Sequence, residues 1–212
     1  MELQTMYSRM VRAFSLISAL LLSVVLLPGC ENKQSMAQFV KVSGKVEART
    51  GPSEKFVAAV QQGLLPSGGA VRTMPESSAD LLLIASKGVI EIKPDTYFEL
   101  PTSENDVRQE SGTIIYRINQ DKGGFSVVTP HGLTGVLGTV FELSVASDST
   151  TVGVQEGKVS LTNRQGESRT VQANEKLVMD ASGKFSEKTV FDLKTDSYKY
   201  IKQNEKWVPA KE

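Results

Sequence analysis

The chain has 212 residues, with 24 basic and 24 acidic side chains, 40% hydrophobic and 7% aromatic residues, one histidine and one cysteine. The balanced charge excludes a polybasic nucleic-acid binder, and a lone cysteine excludes a disulfide-stapled scaffold or a cysteine-rich zinc site. A histidine metal cluster is excluded on the same count.

Residues 13–27, AFSLISALLLSVVLL, follow Arg9 and Arg12 and precede Pro28-Gly29-Cys30. That stretch is short for a membrane span of roughly 20 residues, and basic flank, apolar core and small-residue break together read as an export signal. The ending LLPGC resembles the lipobox of bacterial lipoproteins. The resemblance implies cleavage of a signal peptide, residues 1–29, and lipid attachment at Cys30, which would tie the protein to a membrane. Glu31 after the cysteine favours an outer membrane where the cell has one. Residues 30–38 are polar and read as a tether.

From Phe39 onward, short segments rich in Val, Ile, Thr, Tyr and Phe are separated by Gly, Asn, Asp or Pro. In 140–145, Phe141, Leu143 and Val145 alternate with Glu142 and Ser144; in 90–93, Ile90 and Ile92 alternate with Glu91 and Lys93. Period two with one polar face predicts an all-β domain with one wetted side, closed as a barrel, jelly roll or short solenoid. Residues 53–65 are compatible with a single helical turn or a ragged hairpin. The polar run 102–112, TSENDVRQESG, reads as a loop and a solvated spacer.

Across residues 42–180 the order of segments is similar to the FecR domain. Thr129-Pro130, Gly138-Thr139 and Phe141, followed by Val154, Glu156, Gly157 and Val159, carry the resemblance most specifically. The chain departs from the family's usual turns at Lys87-Gly88 and Asn174-Glu175. The motif residues have structural explanations: Gly138 permits a tight bend, Thr139 can bond to backbone, Phe141 buries the next strand, Pro130 ends one, and Gly157 reads as a hairpin turn. His131 completes the turn after Pro130, which leaves a Ser-His-Asp triad without support.

The resemblance implies an exported domain that in many relatives receives a signal and controls a sigma factor through a short cytoplasmic module. With so few residues ahead of the apolar stretch, the expectation for this chain is an envelope protein-interaction or sensory module without an anti-sigma segment, and a glycan-facing structural protein is the alternative. No enzyme, cofactor or nucleic-acid partner is expected. The extension 181–212 contains Tyr198, Tyr200 and Trp207 as candidate contacts. It reads as a lid with a short helix capped near Asp196, or as an aromatic-basic arm for a partner. Aromatics in an open groove would favour glycan, and an exposed apolar patch would favour protein.

Overall fold

The computed structural model describes residues 35–84, 88–100, 106–120, 124–193, 200–204 and 206–209. The stretch read as an export signal, Cys30, Lys87, Tyr198 and the helix cap expected near Asp196 lie outside these residues.

All regular structure among the described residues is β. The chain opens with β1 (Ser35–Ser43), β2 (Val46–Arg49), β3 (Val57–Ala58), β4 (Leu64–Pro66), β5 (Ala70–Thr73) and β6 (Ser78–Leu83). It continues through β7 (Gly88–Ile92), β8 (Tyr97–Glu99), β9 (Asp106–Ile118), β10 (Phe125–Val128), β11 (Gly132–Val136) and β12 (Val140–Val145). It ends with β13 (Ser149–Glu156), β14 (Lys158–Asn163), β15 (Ser168–Gln172), β16 (Glu175–Asp180), β17 (Thr189–Val190), β18 (Tyr200–Gln203) and β19 (Lys206–Pro209).

Two sheets form. Sheet A has the neighbour order β4-β1-β6-β7-β9-β12-β13-β16-β17. Sheet B runs β3-β2-β5-β8-β9-β10-β11-β14-β15. Every contact is antiparallel except β9 with β10. Strand β9 belongs to both sheets: its first half pairs with β8 and β10, and from Gly112 onward it pairs with β12 and then β7. The bend is fixed from outside, because the Thr113 N–H donates to Thr96 Oγ1 at 3.0 Å. After β9 the hairpins β10–β11, β12–β13, β14–β15 and β16–β17 are laid alternately on sheet B and sheet A, so long-range pairings dominate.

The inner faces share one core. Phe141, Leu143 and Val145 point inward as their alternation predicts, with Ile90, Ile92, Ile114 and Tyr116 beside them from sheet A. Sheet B contributes Val71, Phe98, Phe125, Val127, Val159 and Leu161. The Tyr116 ring stacks on Phe141 at 4.8 Å and meets Phe125 of the other sheet at 6.0 Å. Its hydroxyl donates to Gln109 Oε1 at 2.9 Å, and Gln109 Nε2 donates to the Leu143 carbonyl at 3.0 Å. Burial pushes the Tyr116 phenol well above its usual range. Each such aliphatic or aromatic group contributes roughly 1.5–3 kcal/mol by leaving water.

Several expectations need correction. The span 102–112 is not a loop over its described part: Asp106–Ser111 is strand, with Val107 3% and Gln109 0% exposed. Its alternation was hidden because an inward position is held by a polar residue, Gln109, which bonds to Gly112 and Tyr116 of its own strand and to Leu143 of β12. The domain starts earlier than position 39, since β1 begins at Ser35 and Ala37 is fully buried against β4 and β6. It also runs past 180, because β17 extends sheet A and Phe185 bridges Met179. Neither alternative for 53–65 describes it fully: β3 pairs with β2 and β4 with β1, so this stretch crosses between sheets rather than pairing with itself.

The single wetted face is also corrected. On the outer face of sheet A, Val89 and Ile115 are 0% exposed and Glu91 and Arg117 are 3% and 4%. The C-terminal extension lies over them. It is a hairpin, β18–β19, rather than a helix, with Ile201 opposite Val208 and Lys202 opposite Trp207. Asn204, at φ 49°, supplies the left-handed turn position that a tight hairpin requires.

Candidate functional site

The motif that carried the resemblance is assembled where the chain changes sheets. Thr129 is 7% exposed, and its hydroxyl donates to the Gly132 carbonyl at 3.1 Å while accepting the Gly132 N–H at 3.2 Å. Pro130 and His131 occupy the tip of this β10–β11 turn. His131 is 6% exposed, with Nδ1 2.8 Å from Thr150 Oγ1, and that hydroxyl lies 3.2 Å from Thr129 Oγ1. The three side chains therefore pin a sheet B hairpin to β13 of sheet A. His131, buried with the Thr129 and Thr150 hydroxyls, is a structural bridge.

Gly138 and Thr139 form the next crossing, from β11 to β12. Gly138 has φ 69°, and a Cβ there would fall 2.7 Å from the Gln120 Cβ. Thr139, 1% exposed, donates to the Lys158 carbonyl at 3.1 Å. Gly157, at φ 83°, stands against this crossing, but it does not close a hairpin. It is the corner by which β13 leaves sheet A and β14 enters sheet B, because the two strands have different partners. Phe141 is fully buried, and Glu156 is exposed and accepts from Lys202 Nζ at 2.9 Å. Thr129, His131, Thr139 and Phe141 are buried at these crossings, and Glu156 and Gly157 are exposed.

The open surface they position is on the outer face of sheet B. Register places Ser126, Gly135, Ser160 and Thr170 side by side on four adjacent strands. Their inward neighbours Phe125, Val136, Val159 and Val171 are buried, so the small residues face out. With strand spacing of about 4.8 Å, the row forms a trough floor roughly 14 Å long. No side chain rises from Gly135, where an added Cβ would meet nothing within 4 Å. Leu137, 60% exposed, and Lys158 form one rim, and the trough encloses about 470 Å³. Leu133, 42% exposed, stands one row away, opposite Thr162. Phe125 is the aromatic lining residue, and it is only 6% exposed. The trough thus sets an exposed leucine and a lysine beside a small-residue floor, with its one lining aromatic ring buried.

Sequence reasoning named Gly138 as a bend but missed Ser160 and Thr170 as parts of one row with Gly135. The signal lay in register, which puts residues far apart in the chain into one row. Among the candidate contacts of the extension, Tyr200 is not a free surface group. It is 4% exposed, its hydroxyl donates to Asp80 Oδ2 at 2.6 Å, and burial first, then that bond, raises its pKa. Trp207 is half-buried and its backbone N–H donates to Asn119 Oδ1 at 2.6 Å.

At the other end of the outer face of sheet B, Phe56 lies between two guanidinium groups, with Arg72 4.2 Å and Arg49 5.3 Å from its ring centre. Arg49 pairs with Glu99 at 2.6 Å, and Tyr97 donates to the same carboxylate at 2.6 Å. Burial and that bond push the Tyr97 phenol up to about 12. Glu99 and Glu47 match the two guanidinium charges, while the buried Arg49 Nε has no hydrogen-bond partner among the described residues. Among the described residues no group of three or more His, Cys, Asp or Glu side chains converges to hold a metal ion.

A family model described as "FecR protein" matches residues 69–160, the segment from the start of β5 into β14. No curated protein matches the chain. A crystal structure of a "putative anti-sigma factor" from Parabacteroides distasonis aligns with 19% identity and a TM-score of 0.51, covering 58% of this chain and 60% of that one. A second, from the same organism and described in the same words, aligns with 21% identity and a TM-score of 0.44, covering 57% and 54%. The first likeness is one of fold, and the chain spans less than two-thirds of that structure's length. The matched domain type is regulatory and non-catalytic. The expectation of a module without an anti-sigma segment is corrected, because the solved structure that shares the fold at a TM-score of 0.51 is described as a putative anti-sigma factor. The length of chain ahead of the apolar stretch was no basis for that exclusion.

Proposed function

We propose that this β domain is the protein-binding part of an anti-sigma-type regulator on the extracytoplasmic side of the envelope, and that it engages its partner through the trough of sheet B. The observation that carries the reading is the contrast between the two outer faces. The chain's own extension covers the outer face of sheet A at β6, β7 and β9, whereas sheet B presents exposed Leu137 and, one row away, Leu133 beside a floor of small residues. The partner is a polypeptide that seats an apolar side chain over Gly135 between the two leucines.

The test is a photo-crosslinking residue placed at position 137 in intact cells, with Leu64, 55% exposed on an edge strand of sheet A, as the comparison. A protein adduct from position 137, absent from position 64 and lost when Ser160→Arg fills the trough, is expected. Equal adducts from both positions would remove the site. The regulatory part is read separately, from sigma-dependent transcripts: Ser160→Arg should change them several-fold, and an unchanged profile would overturn it.

Anchoring belongs to the same reading. We infer that residues 1–29 are removed, that Cys30 carries lipid, and that a short linker places the domain near an outer-membrane surface. The order of export stretch, LLPGC and Glu31 supports this. Metabolic labelling with an alkyne fatty acid should tag the wild type and leave Cys30→Ser unlabelled; equal labelling of both would refute it.

A further inference from the structure

The hairpin β18–β19 covers sheet A without joining it. Its two strands pair only with each other, as a sheet of their own. It is held by side chains and one backbone donor: Tyr200 to Asp80, the Trp207 N–H to Asn119, and Lys202 to Glu156. The Arg117 guanidinium lies 5.6 Å from the Tyr200 ring centre and 5.8 Å from that of Trp207. Ile201, Lys202, Gln203 and Asn204 remain exposed. Water can replace the polar and cation–π contacts when they open, the buried Tyr200 ring and the cover over Val89 and Ile115 oppose opening, and a two-stranded hairpin has little stability of its own.

What lies beneath has the composition of a docking surface. Val89 and Ile115, fully buried, form an aliphatic centre. Around them stand Asp80, the paired Glu91 and Arg117, and Lys93, whose Nζ is 3.4 Å from Glu91. An aliphatic centre with an arginine anchor and a charged margin is the usual anatomy of a protein interface. The preceding segment is fastened separately, with the Phe191 ring against Gly153 and the Leu193 N–H donating to Gln155 Oε1 at 3.1 Å. The hairpin can therefore leave while the chain before it stays in place.

We propose that the outer face of β6, β7 and β9 is a second protein-docking surface, which the hairpin occupies in cis. Its occupant in trans is a polypeptide that copies the hairpin's chemistry. It offers an aromatic hydroxyl to Asp80 and an aromatic ring to Arg117. The hairpin and the partner compete, so the surface is available only when the extension is displaced. This surface shares no residue with the trough, and the proposal goes beyond the reading given above.

A labelled synthetic peptide spanning residues 196–209 serves as the probe, titrated against the full chain. The double variant Tyr200→Ala/Trp207→Ala, in which the cis hairpin has lost both rings, should bind it at least about tenfold more tightly than the wild type. Adding Asp80→Asn to that variant should weaken binding at least about fivefold. Trp207→Ala alone, the milder change, should fall between. Hydrogen exchange on the wild type gives an independent reading: the Tyr200–Gln203 amides should exchange at least about a hundredfold faster than those of Ile114–Tyr116. Equal binding to wild type and variants would overturn the proposal. So would absence of binding to variants whose β9 amides remain protected, or hairpin amides that exchange only as slowly as the core.

Discussion

Two buried threonines should respond in opposite directions to the same substitution. Thr134 and Thr150 are both 0% exposed, on β11 and β13. The Thr134 hydroxyl has no hydrogen-bond partner among the described residues, so folding removes it from water without compensation. Replacing that hydroxyl by a methyl in Thr134→Val removes a desolvation cost of about 1–3 kcal/mol and buries a methyl worth about 0.8 kcal/mol. Part of the gain is offset by imperfect packing of the larger group, leaving a net stabilisation of about 1–2 kcal/mol. At the size of this domain, each kcal/mol shifts Tm by about 2–4 °C. The Thr150 hydroxyl instead lies 2.8 Å from His131 Nδ1 and 3.2 Å from Thr129 Oγ1. Thr150→Val strips both of that contact, and the expected loss is about 1–3 kcal/mol. Urea unfolding of the two variants, with unchanged m-values, measures both. Destabilisation by Thr134→Val, or a neutral Thr150→Val, would refute the account of how this core satisfies its polar groups.

Other outcomes follow from the same geometry. Gly138→Ala combines a left-handed φ with an approach of 2.7 Å to Gln120, and should cost about 2–4 kcal/mol by urea unfolding. Glu91→Ala removes the carboxylate paired with the buried Arg117 guanidinium and should cost about 3–5 kcal/mol by calorimetry. The Asp180 pKa is held below its usual 3.8, first by the Ser182 hydroxyl and then by the Lys184 N–H, in the turn after β16. A lowered folded-state value means that its contribution is present above the unfolded pKa and is lost as the pH falls through the folded one. Asp180→Asn should therefore flatten the acid limb of stability below about pH 4 while leaving its slope near neutrality unchanged, as read from urea midpoints against pH.

How much was legible in advance varied with how local the cause was. Strand character at 140–145 depends on side chains two apart, so Phe141, Leu143 and Val145 announced their burial in the alternation itself. The turn at Thr129-Pro130-His131 was also readable, because proline fixes its own dihedral. Its role in joining two sheets was not, since Thr150 lies 19 residues beyond His131. Gly157 illustrates the same limit: a glycine between two β runs specifies a sharp change of direction, and only the partners of β13 and β14 decide between a hairpin and a corner.

The sequence alone determined the all-β class, the inward residues of the regular strands, and the exclusion of histidine or cysteine clusters as metal centres. These rest on period, composition and nearest neighbours. Tertiary structure decided which outer face is open. Sealing sheet A required an extension more than eighty residues from β9 to return to Asp80, Asn119 and Arg117. The trough of sheet B required the register that sets Ser126, Gly135, Ser160 and Thr170 in one row. Both depend on contacts whose partners are distant in the chain, and no local pattern encodes which distant strand a given strand will meet.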